Sequence, residues 1–176
     1  MAAMKSSFHN KKGFTLMELL VTVILVAVLA SYSVYYYNNT IDEGKVNAAK
    51  GKLAALGGAF ERYKIEQGSI TQCPNQGLLI TESNMNASCA KTVQQHINQT
   101  VNRAFETFHC GYAEKHLGLD ENFNFYFGCP EADSKDCGTP GVGFTVYMKP
   151  KSKTSSTVYP ACAYFNPNID KVIEVK

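Results

Sequence analysis

Residues 11–37 read KKGFTLMELLVTVILVAVLASYSVYYY, and this stretch decides the fold. Two lysines and a glycine open it. From Phe14 to Tyr37 the only charged residue is Glu18. A helix over that run would be about 36 Å long, enough to cross a hydrocarbon core of about 30 Å. Tyr32, Tyr35, Tyr36 and Tyr37 gather at its far end, where amphipathic rings favour a membrane interface. Lys11 and Lys12 at the near end favour a cytoplasmic N-terminus. Before them, residues 1–13 are polar and basic, MAAMKSSFHNKKG, and carry no fold signal.

Downstream the pattern changes but stays helical. No proline interrupts Asn38 to Gln67. Val46, Ala49, Leu53, Leu56, Phe60 and Tyr63 recur at alternating steps of three and four, which puts them on one helical stripe. Lys45, Lys50, Lys52, Glu61, Arg62 and Lys64 fall on the other faces. One long helix is therefore expected, apolar all round in residues 14–37 and amphipathic in residues 38–67. Gly44, Gly51, Gly57 and Gly58 act against it, since glycine in a helix interior costs about 1 kcal/mol relative to alanine. Close packing would explain their presence. Gly68 is the expected stop.

Residues 68–176 read as a globular head. Gln94 to His109 could form a further helix, with Ile97, Val101, Ala104, Phe105 and Phe108 on one side. The last third reads as strands. Phe123, Phe125 and Phe127 alternate; Val142 to Met148 and Thr157 to Phe165 are rich in β-branched and aromatic residues. Val172, Ile173 and Val175 follow a turn signal at Asn166-Pro167-Asn168. The expected class is α+β: a long N-terminal helix whose amphipathic half packs on a C-terminal antiparallel sheet, stabilised by disulfides.

Cys73, Cys89, Cys110, Cys129, Cys137 and Cys162 all follow the apolar run. An even count after an export-type segment favours disulfides in an oxidising compartment. Sequence does not choose their pairing, though Cys129 and Cys137 are close enough for a local loop. A zinc site drawing on His109 or His116 lacks the usual ligand spacing, and no metal or cofactor is expected. Glu131, Asp133 and Asp136 read as a solvated turn rather than a calcium loop. The formal charge is +2, and Lys5, Lys11 and Lys12 precede Phe14, so the remainder is near neutral and no nucleic-acid partner is expected. No phosphate loop, H-E-x-x-H or G-x-S-x-G occurs, and no enzymatic activity is expected.

An ordinary secretory signal would end its apolar core at a small-residue cleavage site, which Ala27 to Ser33 could supply. The order here differs: Lys11-Lys12-Gly13, then Phe-Thr-Leu-Met-Glu, then an unbroken apolar run. KGFTLMELLVTVILVAVLA resembles the signal of type IV prepilins and of type II secretion pseudopilins. The resemblance covers Lys11 to about Gln67, and beyond that only the architecture. It implies that a prepilin peptidase cuts between Gly13 and Phe14 and methylates the new amine of Phe14. The basic leader is lost and the apolar helix is kept, first in membrane lipid and then in a filament core. It also implies that Glu18 pairs with the N-terminal amine of a neighbouring subunit and sets the axial register. A carboxylate within an apolar span is a functional candidate on physical grounds too, although one so near the interface could simply snorkel.

The implied partners are the peptidase, identical or related subunits in a helical filament, and an inner-membrane assembly platform. The implied location is the inner membrane, then an extracellular pilus or a periplasmic pseudopilus. The resemblance departs at Ala27 and Tyr35, where many pilins have glycine and proline. A continuous helix is therefore expected. The competing reading is a membrane-anchored extracytoplasmic binding domain that never polymerises; it needs neither a cut at Gly13 nor Glu18.

Overall fold

The computed structural model describes residues 13–68, 70, 77–86, 103–130, 143–152 and 158–175. The chain divides into two compact units, Met1–Thr40 and Ile41–Lys176. A single helix, α1 (Leu16–Gln67), contributes to both.

In the first unit, every described residue up to Asn38 is exposed. Leu25, Val28 and Leu29 are among the large apolar side chains left uncovered. This stretch is long and apolar enough to cross a membrane. Its serine and threonine hydroxyls are bound within the helix. Thr22 Oγ1 donates to the Leu19 carbonyl at 2.8 Å, Ser31 Oγ to Ala27 at 2.9 Å, Ser33 Oγ to Leu29 at 2.8 Å and Thr40 Oγ1 to Tyr36 at 3.0 Å. Such back-bonding removes the polar groups that hydrocarbon would penalise. Neither Ala27 nor Tyr35 interrupts α1, as expected where proline is missing.

In the second unit, α1 packs on a five-stranded sheet. The strands are β1 (Leu78–Leu79), β2 (Phe123–Gly128), β3 (Thr145–Pro150), β4 (Cys162–Asn166) and β5 (Lys171–Val175), in that spatial order. All neighbours run antiparallel. The sequence stripe on α1 is the buried face: Val46, Ala49, Leu53, Leu56, Phe60 and Tyr63 are each at most 3% exposed. Phe123, Phe125 and Phe127 alternate inward to meet it, and the Phe60 ring lies 5.0 Å from Phe127 and 5.7 Å from Phe144. Burying one such side chain contributes roughly 1.5–3 kcal/mol.

The second face of the sheet carries its own apolar cluster, Tyr147, Cys162 and Tyr164, with Tyr126 stacked on Tyr147 at 5.1 Å. Gly57 explains itself here: a Cβ on it would overlap the Phe165 ring, so glycine lets helix and sheet close. No such contact exists at Gly44, Gly51 or Gly58. Gly68 ends α1 with φ +97°, a left-handed conformation that glycine adopts without strain.

Element boundaries differ from the sequence expectation in instructive ways. The helix starts at Leu16 rather than Phe14, because Thr15 caps it. Of the helix expected over Gln94–His109, Gln94–Asn102 lies outside the described residues. The described part is a 3₁₀ turn, Arg103–Phe105, followed by α2 (Glu106–His109), with Ala104, Phe105 and Phe108 buried. The strand expected over Val142–Met148 is shifted to Thr145–Pro150, with Val142 outside the described residues. That expected over Thr157–Phe165 shortens to Cys162–Asn166, because Val158 to Ala161 turn instead. β4 and β5 are joined through the anticipated turn, where the Asn168 N–H donates to Asn166 Oδ1 at 3.0 Å and Asp170 has φ 51°.

Candidate processing and assembly site

The start of α1 is organised by Thr15 and Glu18. The Thr15 carbonyl accepts the first helical hydrogen bond, from the Leu19 N–H at 3.2 Å. Thr15 Oγ1 accepts from the Glu18 N–H at 3.2 Å. In return, the Thr15 N–H and hydroxyl each donate to Glu18 Oε2 at 3.4 Å. This is a reciprocal capping box: each side chain satisfies backbone donors that the helix leaves open. The acidic side chain in the first turn also lies at the positive end of the helix dipole. Glu18 is thus held by its own chain, at an exposed position, with its carboxylate near the helix start.

Just before the box, Gly13, Phe14 and Thr15 belong to no helix. Phe14 is 79% exposed. A Cβ on Gly13 would meet nothing within 4 Å, and its φ is not in the left-handed range. Among the described residues, neither crowding nor backbone conformation calls for glycine there. Lys11 and Lys12 lie outside the described residues.

The remaining described candidates belong to the second unit. Among the described cysteines, Cys110, Cys129 and Cys162, none is free; Cys73, Cys89 and Cys137 lie outside the described residues. No group of three or more His, Cys, Asp or Glu residues among the described residues is arranged to hold a metal ion. His109 Nε2 is 2.7 Å from the Asn84 carbonyl, and His116 Nδ1 is 3.0 Å from Glu114. Glu131, Asp133 and Asp136 lie outside the described residues.

A cleft of about 540 Å³ between Lys45, Lys52, Asp120, Glu121 and Lys151 is braced by its own charges. Lys52 Nζ donates to Asp120 Oδ2 at 2.9 Å, and Lys151 Nζ to the Asp120 carbonyl at 2.6 Å. Burial works against the Asp120 charge, but Lys52 and the N–H groups of Asn122 and Phe123 outweigh it and hold the carboxyl below its ordinary value. The arrangement fixes the loop before β2 against α1.

Residues 8–33 match the family described as the prokaryotic N-terminal methylation motif. The N-terminus of the chain therefore carries that methylation motif. The match takes in the basic pair, Gly13–Phe14, the capping box and most of the apolar run. Type II secretion system core protein G of Pseudomonas aeruginosa is similar, 36% identical over 58 residues, which are 33% of this chain and 41% of that protein. The chain therefore aligns with less than half the length of that relative. No solved structure matches the chain. The pilin-like arrangement of a long apolar helix on an antiparallel sheet rests on the fold itself.

Thr15 is the residue the sequence reading passed over. The signal was present: Thr15-Leu16-Met17-Glu18 fits the S/T-x-x-E pattern of a capping box.

Proposed function

We propose that this chain is the precursor of a filament subunit, carried to that role by the signal over residues 8–33. A prepilin peptidase removes residues 1–13 on the cytoplasmic side and methylates the amine of Phe14. Exposure of Phe14 and the lack of any crowding at Gly13 among the described residues support this reading, because both suit an external enzyme. Residues 14–37 hold the subunit in the inner membrane as a single pass, with its N-terminus cytoplasmic, and later pack in the filament core. Residues 38–67 couple that segment to the head, residues 68–176, where paired cysteines staple the fold in an oxidising compartment.

Assembly uses Glu18. In the proposed filament its carboxylate leaves the capping box and meets the Phe14 amine of a neighbouring subunit, so that two charges enter the core as a pair. Identical or related subunits and an inner-membrane platform are the partners. The chain is the substrate of the chemistry and not its catalyst. Mass spectrometry of the membrane-extracted protein should find N-methyl-Phe14 at the N-terminus; an intact leader would instead favour an anchored binding domain that does not polymerise.

The filament is read as a type IV pilus or, in the alternative favoured by the similarity to a type II secretion core protein, a periplasmic pseudopilus. Deleting the gene separates the two. Loss of surface fibres with secretion intact points to a pilus, and loss of protein secretion with surface fibres intact points to a pseudopilus.

A further inference from the structure

Leader removal adds water across the Gly13–Phe14 peptide bond, leaving a carboxylate on Gly13 and an amine on Phe14. A helical peptide bond is a poor substrate for such hydrolysis. Its amide groups are engaged along the helix axis, and the curled backbone denies an enzyme the extended strand it needs. The position at which α1 begins therefore governs whether the bond can be reached.

Nothing upstream of Leu16 is helical among the described residues, and Thr15 supplies the boundary. Its carbonyl accepts the first helical bond and its hydroxyl accepts the Glu18 N–H, both at 3.2 Å. We propose that Thr15 is a positioning residue for leader removal, acting as the N-cap that halts α1 short of Gly13–Phe14 and keeps the scissile bond extended. The inference rests on the cleavage reading given above.

Physical chemistry indicates what happens without the cap. Alanine is a poor N-cap and a strong helix former. The next residue upstream with any N-cap preference is Gly13. Moving the helix start there would draw Phe14 into the first turn and the scissile amide into helical geometry. Glu18→Ala behaves differently, because Thr15 Oγ1 can still accept the backbone N–H of position 18. The proposal thus assigns separate roles to the two members of the box: Thr15 to processing and Glu18 to assembly.

The test uses full-length precursor in detergent with purified prepilin peptidase, following initial cleavage rates by mass spectrometry. Thr15→Ala should be cut about fivefold more slowly, the scale set by loss of a helix cap. Thr15→Ser and Thr15→Asn should be cut near the wild-type rate, since both residues are good N-caps, and so should Glu18→Ala. Far-UV circular dichroism confirms that each variant is folded. Wild-type rates for Thr15→Ala would overturn the inference. A slow Thr15→Asn with a normal Thr15→Ser would also overturn it, by showing that the peptidase reads the hydroxyl itself. A wild-type precursor left uncut at Gly13–Phe14 would instead overturn the underlying cleavage reading.

Discussion

Tyr63 donates its phenolic proton to Glu106 Oε2 across 2.8 Å, with the tyrosine wholly buried and the glutamate 8% exposed. The bond ties the last turns of α1 to α2. It is reinforced at the helix end, where the Arg103 guanidinium donates to the Gln67 carbonyl at 2.8 Å and the Tyr112 hydroxyl to Glu66 at 2.6 Å. Burial first, then the hydrogen bond to Glu106 and its charge, push the Tyr63 phenol up to about 12, with Arg103 opposing.

That shift fixes an alkaline limit. The folded state holds the Tyr63 proton more tightly than the unfolded chain, whose tyrosine titrates near 10. The corresponding stability is complete below about pH 10 and is lost as the pH rises towards about 12. Tyr63→Phe should lower stability by about 1–3 kcal/mol at neutral pH, because a buried carboxylate loses a donor. Urea unfolding of the full chain in micelles at pH 7, 10 and 11.5 should show the gap between wild type and variant narrowing as the pH rises.

Asp120 sets the opposite limit. Its folded-state value is lowered, so its contribution is present above the ordinary carboxylate range and disappears as the pH falls through the lowered value. Asp120→Asn should cost on the order of 1–2 kcal/mol at pH 7, allowing for the part-exposed Lys52 partner. The difference should shrink below about pH 4, where the wild-type carboxylate is itself being protonated. Denaturation curves across pH 3–7 check this.

Adjacent glycines should respond with opposite sign. Gly57→Ala forces a methyl into Phe165, which is 2% exposed and cannot easily yield, and should destabilise by about 1–3 kcal/mol. Gly58→Ala meets nothing within 4 Å and should stabilise α1 by up to about 1 kcal/mol. Melting temperatures of the two variants, measured side by side, decide it.

Glu18→Ala should leave processing and membrane insertion largely unchanged yet abolish filaments. Electron microscopy of sheared fibres, with mass spectrometry of the Phe14 N-terminus, separates the two effects. Normal filaments from this variant would remove Glu18 from the assembly mechanism.

Much of this was legible because periodicity is a strong signal. The stripe from Val46 to Tyr63 reads directly as a buried helix face, and Phe123, Phe125 and Phe127 as the inward face of a strand. Strand ends were less legible, since Val158 and Tyr159 have strand-forming side chains but sit in a turn. β1 was missed because two leucines carry no period. The Tyr63–Glu106 bond joins residues far apart in the chain, and neither residue type announces such a partner. The candidate processing site is legible as a motif, and so is the Thr15 cap within it, through the Thr15-x-x-Glu18 pattern.

The hydroxyls of Thr22, Ser31, Ser33 and Thr40 carry a consequence for how the first half of α1 meets its surroundings. Each one is already spoken for by a carbonyl of its own helix. Between Leu19 and Ser31 the surface thus asks nothing of its neighbours but contact, and lipid tails or the side chains of another helix can meet that demand alike. Such a segment can exchange one solvent for the other, in either direction, without a single hydrogen bond being broken on the way.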